Sequence, residues 1–321
     1  MTALNVAPGA KGARIIGLGD HRPERVLTNA DLESMVDTSD EWIRSRTGIE
    51  RRHLAAPEET VVTMAVAAGG KALAASGVDP AEIDLVVVAT CSIPLPVPGA
   101  AARVATALGA VDAGAVDVNG ACAGFAYSLA WAADAVRGGS ARNVLVCASE
   151  KLSSFVDYTD RATCIIFGDG AGAAVVGPSS DNGIGPVVWG SDGARSDAIV
   201  IPDGAAYVRM DGPAVFRWAT GEMVDVCRRA CEAAGVAPHD LAAFVPHQAN
   251  LRIVDSLARS LGIPADRVSR DIVDTGNTSA ASVPLALSRL VASGRLAPGD
   301  PILQVAFGAG LTYAGQVVCA P

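Results

Sequence analysis

A thiol, an imidazole and a carboxamide, each in its own short segment, are the groups in this sequence best suited to chemistry. They are Cys122 in Ala121-Cys122-Ala123-Gly124-Phe125, His247 in Pro246-His247-Gln248-Ala249-Asn250, and Asn277 in Gly276-Asn277-Thr278-Ser279. A thiol can hold an acyl group as a thioester, which splits one difficult transfer into two easier ones. A neutral His and a neutral Asn can each donate a hydrogen bond to a developing enolate without adding net charge. Together they point to acyl-thioester chemistry built on a cysteine nucleophile. Any one alone carries little weight.

Each has an ordinary alternative. Most cysteines are inert core thiols, but Cys122 opens a long apolar segment that stops near Arg137 at Gly138-Gly139, which places it at a helix N-terminus. There the dipole and the free N–H groups favour the thiolate and lower its pKa. Small neighbours, Ala121, Ala123 and Gly124, leave room for a substrate. His247 follows the apolar run Ala243–Pro246, so its ring is expected to project from a strand end. Gln248 and Asn250 add a polar cluster that an apolar core would not choose without a reason. Asn277 stands in a turn before the helical pattern 284–290, where Thr278 and Ser279 suit capping. Phe307-Gly308-Ala309-Gly310 ends a late strand, and the Ala309 N–H is expected to complete an oxyanion hole with that of Cys122. Gly168-Asp169-Gly170-Ala171-Gly172 lies between two apolar runs and reads as a hairpin; a nucleotide-binding loop should open a helix.

An internal repeat supplies the elements that position these groups. Ser76-Gly77-Val78-Asp79-Pro80 and the run 84–89 parallel Ala234-Gly235-Val236-Ala237-Pro238 and 242–245, an offset of 158 (238 − 80 = 158). The same offset carries Val144-Leu145-Val146 onto Ile302-Leu303-Gln304, and Cys122 onto Ala280. Each half reads as helix, turn, buried strand, helix and buried strand, the α/β alternation of a mostly parallel sheet with covering helices. Leu85-Val86-Val87-Val88 lacks polar alternation, as strands buried on both faces do. The expected halves are 1–178, carrying Cys122, and 179–321, carrying His247 and Asn277. Related by a pseudo-twofold axis, their loops would meet in a crevice outside the carboxyl ends of the strands. No Pro/Ser-rich linker parts them, so one two-lobed unit is expected.

Bulk properties exclude several classes. The 321 residues are 50% hydrophobic and 4% aromatic with 34 glycines, so small aliphatic side chains fill the core. A formal net charge of −9 argues against nucleic acid and anionic membrane surfaces as partners. Positions 1–14 lack a secretory pattern, and Pro94, Pro96 and Pro98 break the uncharged run 85–102, so neither export nor a membrane span is expected. Seven scattered cysteines suit reduced thiols in the cytoplasm. Cys227 and Cys231 share a helix face without a second pair, so no metal site is expected. His21, His53 and His239 sit in charged or turn-like surroundings and are expected to face solvent.

On these residues the chain resembles the β-ketoacyl-acyl-carrier-protein synthases III of thiolase fold. The likeness covers the three segments above, the last running on through Ala280-Ala281-Ser282. It extends to Ser39-Asp40-Glu41-Trp42-Ile43, Arg46-Thr47-Gly48-Ile49 and Asp160-Arg161-Ala162-Thr163. It implies two related halves layered α-β-α-β-α, a homodimer, and a decarboxylative Claisen condensation that starts chains for fatty-acid or polyketide synthesis. Cys122 would take the acyl group from an acyl-CoA primer. His247 and Asn277 would stabilise the enolate left when malonyl-acyl-carrier protein loses carbon dioxide. No cofactor is implied beyond these substrates.

The resemblance also implies that Trp42 and Arg161 flank the adenine of CoA, that Arg46 meets the phosphates, and that Asn250, Gly212 and Phe216 line the pantetheine tunnel. Val97, Phe307 and Leu311 would border the acyl pocket. Arg217, Arg252 and Arg259 would dock the acidic carrier protein. Val97 stands where some relatives carry a bulky aromatic, which implies a primer longer than acetyl. The rival readings are a non-decarboxylating acyltransferase of the same fold and a catalytically silent partner subunit. Retention of His247 and Asn277 argues against the first, and the presence of Cys122 against the second.

Overall fold

Strands buried on both faces must send alternate side chains into two separate cores, and Leu85–Ala89 does so. Val87 and Ala89 enter a central cluster with Phe125 and Leu129, while Val86 and Val88 enter an outer one with Ala68 and Val104. The computed structural model describes residues 7–94 and 97–321. Positions 1–6 of the N-terminal reading, and Leu95 and Pro96 of the proline-rich loop, lie outside the described residues.

Five strands form the first sheet, in the order Gly12–His21, Asp169–Ser179, Val144–Lys151, Leu85–Ala89, Gly114–Val118. Four form the second, in the order Ala243–Pro246, Pro301–Gly308, Thr312–Cys319, Val188–Ser191. The helices Gly124–Gly138 and Ser282–Ala292 lie between them. Their shared cluster takes Ile15 and Val146 from the first sheet, Leu129 and Leu287 from the helices, and Val245 and Ile302 from the second sheet. Val61–Ser76 and Ala101–Leu108 cover the outer face of the first sheet; Gly212–Ala234 and Leu251–Leu261 cover that of the second. The outcome is five layers, α-β-α-β-α. No helix among the described residues is long and apolar enough to cross a membrane.

The sheets are less parallel than the repeat suggests. Leu85–Ala89 is parallel to both neighbours, and Ala243–Pro246 is parallel to Pro301–Gly308. The long strands Asp169–Ser179 and Thr312–Cys319 run antiparallel to theirs. The segment 168–172 is accordingly not a hairpin turn. Asp169 opens a long strand paired with Gly12–His21 and Val144–Lys151, and Ile165 and Ile166 before it lie in turns. A return strand buried on both faces has the same unbroken apolar signature as a parallel one, so periodicity does not reveal direction. Two histidines also differ from expectation. His21 lies 2.7 Å from Glu59 and His53 lies 2.6 Å from the Pro23 carbonyl, both half-buried, while His239 is exposed.

The offset of 158 holds in three dimensions. The 3-10 turn Ala121–Ala123 corresponds to Ser279–Ala281 (279 − 121 = 158), and each feeds one of the two central helices. Ala121 and Ser279 are the non-glycine residues at positive φ among the described residues, at 45° and 50°. Such backbone costs about 1–3 kcal/mol and persists where surrounding structure over-determines it. The two strained positions mark equivalent sharp entries into the helix layer.

Candidate active site

Cys122, His247 and Asn277 all line one cavity of about 710 Å³, together with Phe307, Gly308 and Ala309. Cys122 sits in the turn Ala121–Ala123, immediately before the helix Gly124–Gly138, which ends at Gly139 with φ 77° as the sequence implies. The loop after Pro301–Gly308 presses against it. A Cβ at position 308 would stand 2.7 Å from the Cys122 nitrogen and 2.8 Å from its Cβ, so only glycine permits the approach. Thr312 Oγ1, 3.1 Å from both the Gly120 and the Ala309 carbonyl oxygens, ties the two loops together.

The expected lowering of the thiol pKa does not hold. Burial pushes the Cys122 thiol up to about 12, outweighing the Ser279 hydrogen bond that lowers it. Loss of hydration disfavours the thiolate more than one helix terminus favours it. Alkylation of Cys122 by iodoacetamide is therefore expected to quicken about tenfold per pH unit between about pH 7 and about pH 10, because the thiolate fraction is still growing. Intact mass reads the rate. A plateau below about pH 8.5 would mean that the helix terminus prevails.

His247 follows Ala243–Pro246, and its N–H bonds the Val305 carbonyl at 2.7 Å. Its ring stands edge-on to Phe307, with centroids 5.3 Å apart. Nδ1 lies 2.6 Å from Ser282 Oγ, which also accepts the Gln248 N–H at 3.3 Å. As no other acceptor for its proton stands among the described residues, the Ser282 hydroxyl is assigned as donor to Nδ1, which leaves the ring proton on Nε2. Burial lowers the His247 pKa to about 3, so the ring is neutral. It is thus a hydrogen-bond donor without charge.

Asn277 is clamped by its backbone. Its N–H bonds the Ile166 carbonyl at 2.9 Å, and its carbonyl accepts the Gly168 N–H at 3.0 Å. Its Oδ1 accepts the Ser279 N–H at 2.8 Å, a capping-type bond that orients the carboxamide and leaves Nδ2 a donor without a partner among the described residues. Behind this shelf Arg52 is fully buried, donating to Asn29 Oδ1 and to the Ile165 carbonyl. Burial lowers its pKa to about 10, still charged at neutral pH.

Towards the surface, two guanidinium groups approach the Trp42 ring, with Cζ of Arg161 and Arg46 at 4.8 Å and 5.8 Å from its centroid. Gly212 and Phe216 line the cavity, and Arg252 stacks over Phe216 at 5.2 Å. Asn250 lines it too, but its carboxamide serves the scaffold. Oδ1 caps Leu251–Leu261 through the Arg252 N–H, and Nδ2 donates to the Arg46 carbonyl at 3.0 Å.

Val97 and Leu311, expected at the acyl pocket, stand apart from the cavity. Val97 is 82% exposed and does not line it. Leu311 is buried in the outer core of the second sheet, where its backbone bonds Asp192. Arg259 is exposed about two turns beyond Arg252 on the same helix, roughly 10 Å from it. Arg217 and Arg252 do border the cavity. Conversely, Cys91 and Ser279 line it and Ser282 supports His247. In sequence Ser279 suited capping, and Cys91 was one of the seven scattered thiols.

Two family models match the chain. The 3-oxoacyl-[acyl-carrier-protein] synthase III model covers residues 116–193, and the model of its C-terminal part covers residues 231–319. The β-ketoacyl-[acyl-carrier-protein] synthase III 4 of Streptomyces coelicolor is 51% identical over 314 residues, 97% of this chain and 99% of that protein. The chain belongs to the β-ketoacyl-acyl-carrier-protein synthase III family. A second synthase III, from Mycobacteroides abscessus, is 50% identical over 100% of this chain and 98% of its own. The crystal structure of the priming β-ketosynthase from the R1128 polyketide pathway matches with a TM-score of 0.97 at 48% identity, covering 100% of this chain and 99% of that one. As a synthase III of thiolase fold, the chain is an acyl-transferring, condensing enzyme.

Proposed function

We propose that this synthase III condenses an acyl-CoA primer with malonyl-acyl-carrier protein by way of an acyl-Cys122 thioester, releasing CoA and carbon dioxide. The observation that carries this is the convergence of a thiol, a neutral imidazole and an amide donor on one buried cavity. The N–H groups of Cys122 and Ala309 hold the oxyanion formed as the thiol attacks. After CoA leaves, His247 Nε2–H and Asn277 Nδ2–H hold the enolate oxygen created by loss of carbon dioxide. Its carbon then attacks the acyl-cysteine. Simple acyl transfer would leave those two buried donors with no enolate to serve.

Trp42, Arg161 and Arg46 form the adenine and phosphate end of the CoA site. Trp42→Ala is expected to raise KM for acyl-CoA about tenfold with kcat little changed, since stacking there is the same in ground and transition states. Steady-state kinetics check it. Arg217 and Arg252 receive the acidic carrier protein at the mouth. The edge strand Gly114–Val118, with Val116 47% exposed, suits pairing with a second copy in a homodimer. Seven free cysteines are in keeping with action in the cytoplasm. The product serves as the first β-ketoacyl unit of a fatty-acid or polyketide chain. Intact-protein mass spectrometry with a panel of acyl-CoAs, followed by malonyl-carrier protein, tests the reading. Acyl mass that discharges without carbon dioxide release would sink it.

A further inference from the structure

Arg52, on the strand Arg51–Leu54, is fully buried, and no carboxylate pairs with it among the described residues. Its hydrogen bonds go to neutral oxygens instead. Nη1 donates to Asn29 Oδ1 at 2.8 Å and to the Leu27 carbonyl at 3.5 Å, and Nη2 donates to the Ile165 carbonyl. Nε has no partner among the described residues. Burying an unpaired ion is unfavourable, and an apolar side chain of similar length would fill the same space without that penalty. What a guanidinium adds is a rigid planar fork, whose two ends hold their partners a fixed distance apart. Here those partners are Asn29 and Ile165.

The Ile165 end of the fork reaches the shelf that carries Asn277. The next carbonyl, that of Ile166, accepts the Asn277 N–H at 2.9 Å, and the Gly168 N–H donates to the Asn277 carbonyl at 3.0 Å. Phe167 and Asn277 thus form a parallel bridge. The stem of Arg52 packs against both sides of it. A Cβ at Gly168 would stand 3.2 Å from the Arg52 Cβ, and one at Gly276 would stand 3.0 Å from it. The Asn29 end is anchored in turn. Asn29 is buried, and its Nδ2 donates to Asp40 Oδ1 at 2.7 Å and to the Ile49 carbonyl at 2.9 Å.

Ile165, Ile166 and Phe167 line the cavity and Arg52 does not, so any effect of Arg52 on the reaction passes through them and Asn277. We propose that Arg52 is a positioning residue for the enolate donor: it locks the 165–168 turn against the Asn277 backbone and so fixes where Asn277 Nδ2 points. A preorganised donor must be held to within about 0.5 Å of its productive place, which a fork anchored at both ends can do. The consequence falls on decarboxylation. Acylation draws instead on the N–H groups of Cys122 and Ala309, which stand on other loops.

This inference rests on the enolate role of Asn277, and the test keeps the two apart. Carbon dioxide release is measured in single turnovers of pre-acylated protein, and acylation at saturating acyl-CoA is followed by mass. The proteins are the wild type, Arg52→Lys, Asn277→Asp and the double variant. Arg52→Lys keeps the charge and loses the fork. It is expected to slow decarboxylation about tenfold and acylation by no more than about twofold. In the Asn277→Asp background the same change should cost no more than about twofold, since a displaced donor matters only while the donor is present. A residue that merely supports the fold would slow both half-reactions together, and by the same factor in either background. Either of those results, or unchanged carbon dioxide release in Arg52→Lys, would overturn the proposal. Asn29→Ala removes the anchor and leaves the shelf's own residues in place. It should show the same pattern with a loss of about fivefold, and decides the matter if Arg52→Lys does not fold. An Asn277→Asp enzyme that decarboxylates at the wild-type rate would instead overturn the enolate role itself.

Discussion

Cys122→Ala is expected to leave no acyl mass on the protein and to lower condensation by about 10⁴-fold or more, the scale on which removing a covalent nucleophile acts. Cys91 lies in the same cavity but does not substitute. Burial and the Glu150 carboxyl hold its thiol well above the ordinary range, and the Gly308 loop with its N–H donors packs against Cys122. Folding should survive, since the change removes one sulfur atom and no backbone bond, within about 1–2 kcal/mol of the wild type. Malonyl decarboxylation without condensation should persist, because His247 and Asn277 remain. Mass mapping of the acyl group checks this, and an acyl group found on Cys91 in the variant would refute it.

Asn277→Asp is expected to fold and to acylate normally, yet lose decarboxylation by about 10²–10³-fold, the usual consequence of removing one preorganised donor. A carboxylate keeps the acceptor for the Ser279 N–H but replaces the Nδ2 donor with negative charge facing the enolate. His247→Ala should act alike, and the double variant should lose less than the sum, because both groups serve one oxygen. Since the His247 pKa is near 3, raising pH from about 5 to about 8 should not remove a proton that the reaction needs from the ring. An Asn277→Asp enzyme that still decarboxylates at the wild-type rate would contradict the donor role. Carbon dioxide release in single turnovers of pre-acylated protein gives the measurement.

Much of the site was legible because it is local. The helix behind Cys122, the strand before His247 and the glycine loop at Gly308 each follow from adjacent residues, and the 158-residue offset relates the two halves. Strand direction was not legible, because Asp169–Ser179 is apolar through most of its length and buried on both faces. Val97 and Leu311 were placed at the acyl pocket by resemblance, and neither lines the cavity: Val97 is exposed and Leu311 is buried in the outer core of the second sheet.

The helix–strand alternation of each half and the identity of the reacting groups were legible in the sequence itself, since hydrophobic period, caps and turns act over a few residues; the five-layer arrangement was implied only by the resemblance. The protonation of those groups was decided only in three dimensions. Burial holds Cys122 as a thiol against its helix dipole and His247 as a neutral ring, and Ser282 sets that ring's tautomer from 35 residues away. Desolvation depends on every atom around a group, and those atoms come from both halves of the chain.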